Sequence, residues 1–172
     1  VHYNEMAFLG YYEVLVNIRK VLNNIDYCKK DLVDYQPDVL ILIDYPSFNL
    51  KIAEFAKKQG IKVFYYISPK VWVWKENRVF KIKKWVDKMF VIFPFEVDFY
   101  KKFDYDSFYT GNPLLDEISN YTPSTDFIQK NNLSDKPIIG VLPGSRKQEV
   151  TGFLQDMLTI VKEYPNHQFV IG

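Results

Sequence analysis

The fold of this chain is decided by residues 37–46, which read Pro-Asp-Val-Leu-Ile-Leu-Ile-Asp-Tyr-Pro. Pro37 ends the preceding pattern, and the apolar residues 39–43 follow without polar alternation. A continuous apolar run of this length, rich in β-branched side chains, is typical of a parallel-sheet strand that is buried on both faces. We therefore predict a buried strand over residues 39–43 that ends at Asp44.

Strand and helix patterns alternate on both sides of this run. Apolar residues recur at helical spacing over residues 12–33, upstream of the run. Downstream, the patterns predict helices over 49–59, 74–86 and 95–103 and strands over 62–67 and 88–93, with Gly60 as a helix C-terminal cap. This alternation predicts an α/β fold with a doubly wound parallel sheet.

The alternation is interrupted between residues 109 and 134, where turn-forming residues gather. It resumes with a strand over 137–142, a helix from about 146 to 164 and a strand over 168–171. We predict a first domain over 1–116, a linker region over 117–134 and the start of a second α/β domain over 135–172. One strand–helix–strand unit cannot bury a core alone, so we expect the 172 residues to be an internal piece of a longer protein, incomplete at both ends.

Composition excludes some function classes. The chain carries 22 basic and 21 acidic residues, for a net charge of +1, and a nucleic-acid binder would show a strong basic excess. The single cysteine, Cys28, can form no internal disulfide, which indicates a reducing compartment such as the cytoplasm. No apolar run approaches the roughly 20 residues that a membrane-spanning helix needs.

Candidate site residues follow from the rule that open parallel sheets bind ligands outside the carboxyl ends of their strands. The rule indicates Asp44, Ser68 with Pro69, residues 93–94 and residues 143–146. Asp44 ends the most apolar strand, so we expect its carboxylate to face the crevice and to act as a general base. The alternative is that Asp44 only caps the following turn.

The turn before the last predicted helix indicates a phosphate site. Gly144 allows a tight turn, and Ser145 with Gln148 predicts a capping box at the helix start. Free amides at a helix N-terminus favour phosphate, and the guanidinium of Arg146 can bind two phosphate oxygens at once. We predict nucleotide binding by Gly144, Ser145, Arg146 and Glu149. The alternative is an ordinary capped helix beside a solvated arginine.

Three further patterns are weaker. Residues 104–106, Asp-Tyr-Asp, match the metal site of some sugar transferases, but no second acidic cluster lies nearby, and we expect no metal. Tryptophans and lysines interleave over residues 70–85, which suits either stacking on single-stranded nucleic acid, contact with anionic lipid or a plain amphipathic helix. The aromatic segment 6–12 suits a membrane interface or a buried core.

Five phrases, taken together, resemble the lipid-A-disaccharide synthase family and run through nearly the whole chain in order. They are Ile-Asp-Tyr-Pro at 43–46 with Phe-Asn-Leu at 48–50, Tyr-Ile-Ser-Pro at 66–69 with Val-Trp at 71–72 and Trp74, Pro-Phe-Glu at 94–96, Gly111 with Pro-Leu at 113–114, and Leu-Pro-Gly-Ser-Arg at 142–146. Ser47 and Asn112 depart from the common family pattern, and we assign neither a catalytic role.

The resemblance implies a GT-B architecture of two Rossmann-like domains that face each other across a cleft. It implies an inverting transfer, without metal or other cofactor, from UDP-2,3-diacylglucosamine to 2,3-diacylglucosamine 1-phosphate. In such enzymes the first domain holds the acylated acceptor and the second holds the nucleotide. Asp44 matches the family's proposed catalytic carboxylate, and Arg146 matches its essential arginine.

Because both substrates would carry acyl chains, we expect a peripheral enzyme of lipid A biosynthesis on the inner face of the cytoplasmic membrane. We expect the 172 residues alone to be inactive. Two alternatives stay open from the sequence. One is another GT-B UDP-sugar enzyme, either a transferase or a UDP-N-acetylglucosamine epimerase. The other is a non-catalytic module that binds the membrane surface.

Overall fold

A computed structural model describes residues 18–172, so the patterns noted over residues 6–17 lie outside the described residues. The chain divides into two compact units, Val1–Asn120 and Tyr121–Gly172. Both contain a parallel sheet with helical connections, which confirms the predicted α/β class. The assignment of separate functional domains to 1–116 and 135–172 stays a prediction.

The described part of the first unit is a four-stranded parallel sheet in the order β1-β2-β3-β4. Its elements are α1 (Ile18–Tyr35), β1 (Val39–Ile43), α2 (Pro46–Lys58), β2 (Lys62–Tyr66), α3 (Arg78–Trp85), β3 (Lys88–Val91), α4 (Phe95–Lys101), β4 (Ser107–Tyr109) and α5 (Pro113–Asn120). Consecutive strands are neighbours, so each crossover helix returns the chain to the next position in the sheet.

Strand β1 has the predicted bounds, but the prediction that it is buried on both faces is wrong. Leu42 is buried, whereas Ile41 and Ile43 are 62% and 57% exposed. Successive strand residues point to opposite faces, and β1 pairs only with β2 in the described sheet. The apolar side chains of β1 therefore point to two different faces of the sheet. The described helices cover one of these faces.

The core of the first unit lies between the covered face of the sheet and its helices. From the strands it takes Val63, Tyr65, Met89 and Val91, and from the helices it takes Ile52, Ala53, Ala56, Val79, Ile82 and Tyr100. On β2, for example, Val63 and Tyr65 are fully buried and their neighbours are not. This packing fixes the carboxyl ends of the strands relative to the helix starts.

Helix α2 ends as its sequence predicts. Gly60 adopts a φ of +80°, its amide bonds the carbonyl of Lys57, and the amide of Ile61 bonds the carbonyl of Ala56. These two bonds form a Schellman motif, which glycine favours because it has no Cβ to clash in the left-handed region. The motif turns the chain directly into β2.

The second unit contains α6 (Phe127–Lys130), β5 (Ile138–Val141), α7 (Lys147–Met157), a 3₁₀ helix (Leu158–Glu163) and β6 (Gln168–Ile171). Strands β5 and β6 pair in parallel, from Ile138 with Gln168 to Val141 with Ile171. The predicted single helix over 146–164 is thus an α-helix that tightens into 3₁₀ geometry after Met157.

Candidate functional site

Asp44 stands at the carboxyl end of β1 in an unusual backbone conformation. Asp44 and Tyr45 both lie in the left-handed region, with φ of 46° and 45°. Non-glycine residues in this region are uncommon and mark strain or function. The residue is exposed, and its carboxylate has no hydrogen-bond partner among residues 18–172. The carboxylate is therefore open to a ligand.

Two side chains hold this turn through its backbone. The amide nitrogen of Asn49 donates to the carbonyl oxygens of Ile43 at 3.0 Å and Asp44 at 2.6 Å. The hydroxyl of Tyr65 donates to the same Asp44 carbonyl at 2.5 Å, and the Asp44 amide donates to Tyr66 on β2. Four hydrogen bonds thus offset the cost of the left-handed geometry and aim the carboxylate.

The Tyr65 hydroxyl is suited to act as a permanent hydrogen-bond donor. Burial raises the pKa of its phenol above the ordinary value, and the nearby charge of Asp44 raises it further. The hydroxyl therefore keeps its proton throughout the neutral range. Asn49 and Tyr65 were absent from the sequence-predicted site, although Asn49 belongs to the Phe-Asn-Leu phrase at 48–50, which was the available signal.

Ser68 and Pro69 lie at the carboxyl end of β2, beside the Asp44 turn, and both are buried. The Ser68 hydroxyl lies 2.6 Å from the hydroxyl of Tyr100 on α4 and 3.0 Å from the Pro69 carbonyl. These contacts give Ser68 a structural task, which is to tie the loop after β2 to α4. Its predicted part in substrate binding stays a prediction.

A buried carboxylate completes the fixation of that loop. Glu96 is 1% exposed, accepts a hydrogen bond from the Trp72 indole nitrogen at 3.3 Å and accepts another from the Phe93 amide at 3.1 Å. Trp72 also packs edge-on against Phe95. In the sequence, Glu96 stands out only as part of the Pro-Phe-Glu phrase at 94–96. Its position in the first turn of α4, where the helix dipole favours a carboxylate, was the available signal.

In the second unit, the turn before α7 brings together Gly144, Ser145, Arg146 and Glu149. Gly144 has a φ of +108°, and a Cβ at this position would lie 2.5 Å from Oε2 of Glu149. Only glycine fits this approach. The predicted capping box of Ser145 and Gln148 is wrong by one residue, because the helix N-cap is Arg146 and the Glu149 carboxylate accepts the Arg146 backbone amide at 3.2 Å.

Arg146 and Glu149 form an ion pair that fixes the arginine. Nη1 of Arg146 lies 2.8 Å from Oε1 of Glu149, and this hydrogen bond lowers the pKa of the Glu149 carboxyl below its ordinary value. The Arg146 side chain is still 53% exposed. One edge of the guanidinium is thus held while solvent reaches the rest, an arrangement that suits an anion-binding arginine.

Residues 18–172 contain no cluster of three or more histidine, cysteine, aspartate or glutamate side chains placed to hold a metal ion. None of the helices within that range is both long enough and apolar enough to cross a bilayer.

The chain is similar to known proteins over nearly its whole length. The family model described as lipid-A-disaccharide synthetase matches residues 1–171. Lipid-A-disaccharide synthase of Geobacter metallireducens is 39% identical over 98% of this chain and 45% of its own length. The enzyme of Syntrophus aciditrophicus is 43% identical over 90% of this chain and 40% of its own. The chain thus spans about half the length of the curated relatives it matches.

Solved structures share the fold at low identity. UDP-GlcNAc 2-epimerase from Neisseria meningitidis, bound to UDP-GlcNAc, aligns with 95% of this chain and 48% of its own, with a TM-score of 0.61 and 16% identity. A putative UDP-N-acetylglucosamine 2-epimerase from Listeria monocytogenes gives a TM-score of 0.61 at 14% identity, over 88% of this chain and 44% of its own. The likeness supports a Rossmann-like, GT-B-type fold. Sequence and family model together show that the chain belongs to the lipid-A-disaccharide synthase family.

Proposed function

We propose that this chain is part of an inverting glycosyltransferase that joins UDP-2,3-diacylglucosamine to 2,3-diacylglucosamine 1-phosphate. The products would be lipid A disaccharide 1-phosphate and UDP. The observation that carries the proposal is the exposed Asp44 carboxylate, fixed through its backbone at the end of a parallel strand in a chain of this family.

Asp44 would act as the general base. Its free carboxylate would take the proton from the acceptor's sugar hydroxyl as that oxygen attacks the anomeric carbon of the donor. The bond between this carbon and the UDP oxygen breaks at the same time, so the configuration inverts. Asn49 and Tyr65 would not touch substrate, but they would keep the carboxylate in place.

The turn at Gly144–Arg146 would bind the diphosphate of the donor. Gly144 lets the backbone approach closely, and the exposed part of the Arg146 guanidinium would stabilise the negative charge that grows on the leaving UDP. Glu149 would orient Arg146 through their ion pair. Its own negative charge disfavours direct contact with a diphosphate, so we propose a positioning role for Glu149.

Both proposed substrates carry fatty acyl chains, which places the reaction at the cytosolic surface of the membrane. Exposed apolar side chains support a peripheral association, and Trp74 is one of them, with Lys75 over its ring. The proposed sugar transfer needs no metal.

The test is an assay of the intact enzyme with both acylated substrates, compared with the same sugars without acyl chains. We expect UDP release and disaccharide formation only with the acylated pair. Turnover of non-acylated UDP-N-acetylglucosamine alone, whether by transfer or by epimerisation, would replace this proposal with another UDP-sugar reaction. Membrane binding without any turnover would identify a non-catalytic module.

A further inference from the structure

A cavity of about 260 Å³ opens between α2 and α3, directly after the turn that carries Asp44. Its walls come from one face of each helix, and they are lined by Pro46, Ser47, Leu50, Lys51 and Glu54 of α2 and by Arg78, Lys81 and Trp85 of α3. The cavity is too small for a nucleotide and suits a single compact group. Neither the family phrases nor the roles proposed above assign it a ligand.

The lining of this cavity contains more cations than anions. Lys51, Arg78 and Lys81 supply three cations, and within residues 18–172 neither lysine forms an ion pair. Glu54 is the one acidic residue in the lining, and its carboxylate is bound by Lys58 at 2.7 Å. The hydrogen bond from Lys58 lowers the pKa of Glu54, and the charge of Lys81 lowers it further. Three cations and one carboxylate still leave the lining with a net positive charge.

Arg78 is already held in position at the cavity mouth. Its Nη2 donates to the Ser47 hydroxyl at 3.3 Å, and its guanidinium lies 5.7 Å from the centre of the Trp74 ring. These contacts fix the plane of the guanidinium while its other N–H groups stay available. The donors of this cavity are the planar guanidinium of Arg78, the Ser47 hydroxyl and two lysine ammonium groups. They suit the oxygens of a phosphate monoester, whose two negative charges they can balance.

We propose that this cavity binds the phosphate of the acceptor and so selects the phosphorylated sugar. This inference rests on the proposed function, since that function supplies an acceptor with a phosphate at one end and the attacking hydroxyl elsewhere on its sugar. Ser47 lies three residues after Asp44, in the first turn of α2. Binding of the phosphate at Arg78, Lys81 and Lys51 would present the sugar to Asp44. Arg78 is thus a specificity-determining residue.

The test compares two acceptors in the intact enzyme, 2,3-diacylglucosamine 1-phosphate and its counterpart without the phosphate. The variants are Arg78→Gln and Lys81→Gln, and the matched control is Lys101→Gln, an exposed lysine of α4 outside the cavity. For the phosphorylated acceptor we expect kcat/KM to fall roughly tenfold or more in both variants. For the acceptor without phosphate, and for the donor KM, we expect no change. An equal loss with both acceptors overturns the proposal.

Direct binding separates this inference from the proposed function. Inorganic phosphate is titrated into the intact protein without other substrates, and bound phosphate is followed by NMR shifts of α2 and α3. Arg78→Gln should abolish these shifts, and Lys101→Gln should keep them. If the wild-type enzyme transfers no sugar but the shifts behave in this way, the proposed reaction fails and the phosphate site stands. Shifts that survive Arg78→Gln overturn the site whatever the activity.

A lipid headgroup is the competing source of the same phosphate chemistry. Vesicles of phosphatidylcholine with and without phosphatidic acid distinguish the two sources. We expect Arg78→Gln to bind both vesicles as the wild-type enzyme does. A selective loss of binding to phosphatidic acid, with unchanged discrimination between the two acceptors, assigns the cavity to lipid and overturns the proposal.

Discussion

The side-chain amide of Asn49 donates a hydrogen bond of 2.6 Å to the carbonyl oxygen of Asp44, so the first turns of α2 hold the residue that ends β1. Asn49 is 9% exposed, and its second bond reaches the Ile43 carbonyl. These hydrogen bonds therefore hold the start of α2, the end of β1 and the Asp44 residue together. Any change at Asn49 should reach the chemistry through Asp44.

The first prediction concerns this contact. Asn49→Ala in the intact enzyme removes one side-chain donor from each of two carbonyl oxygens, so we expect a loss of about 1–3 kcal/mol in unfolding free energy, measured with urea. Tyr65→Phe removes one donor and should cost about 1 kcal/mol. Both variants should lower kcat more than they change donor KM. Asn23→Ala, at an exposed position of α1, is the control. Unchanged kcat in both variants would separate these residues from the reaction.

The second prediction tests the base. Asp44→Asn keeps the size of the side chain and a residue type that tolerates left-handed geometry, so the fold should persist. Loss of the proton acceptor should lower kcat by roughly 10²–10⁴. Steady-state kinetics and the thermal midpoint are measured together, with Asp34→Asn on α1 as control. A rate within about threefold of wild type, at an unchanged midpoint, means that Asp44 is not the base.

The third prediction uses two glycines of the second unit. Gly144→Ala places a Cβ against Glu149 at a φ of +108°, so we expect lower stability and weaker UDP binding. Gly152 lies within α7, and a Cβ added there would meet no atom within 4 Å, so Gly152→Ala should stabilise the helix by roughly 1 kcal/mol. Calorimetric unfolding and UDP titration provide the measurements. Equal behaviour of the two variants would show that the turn is not constrained.

The fourth prediction is a pH dependence. The Arg146 hydrogen bond lowers the pKa of the Glu149 carboxyl below its ordinary value of 4.5. A lowered pKa in the folded state means that the ion pair contributes fully above the ordinary value, and that its contribution disappears as pH falls through the lowered pKa. In an NMR titration, Arg146→Gln should return the Glu149 pKa toward 4.5. An unmoved titration curve would contradict the observed pair.

Arg146→Lys gives the matching binding experiment. Lysine keeps the charge but not the planar pair of donors, so UDP affinity should fall, by roughly tenfold. Calorimetry with UDP on the intact enzyme measures it, and Lys147→Arg beside it is the control. An unchanged affinity for UDP would remove the nucleotide role of Arg146.

Local patterns in the sequence were sufficient to predict the helices and strands that have apolar runs or clear caps. Strands β1 and β6 have bounds that follow from their residues, and Gly60 ends α2 as glycine chemistry requires. The predicted helix over 74–86 begins only at Arg78, because the residues before it form turns. Strand β4 has three residues, Ser107–Tyr109, and a strand that short has no readable alternation.

The residues of the candidate site also divide into those that the sequence could predict and those that it could not. Residues at strand ends, such as Asp44, followed from the topology of parallel sheets, since position alone selects them. Asn49, Tyr65 and Glu96 did not, because a side chain that bonds a distant backbone group leaves no periodic trace in the sequence. The N-cap was misplaced by one residue, since the contacts of Glu149 with the Arg146 amide and guanidinium could not be distinguished in the sequence from a cap at Ser145.

The left-handed backbone at the end of β1 also restricts which amino acid can stand there. Glycine, asparagine, aspartate and histidine are the residue types that best tolerate φ near 46°. Of these four, aspartate alone offers a carboxylate. Glutamate would bring the same acid on a longer stem but at a conformational penalty, so the main-chain shape and the proposed proton transfer together admit a single side chain at position 44.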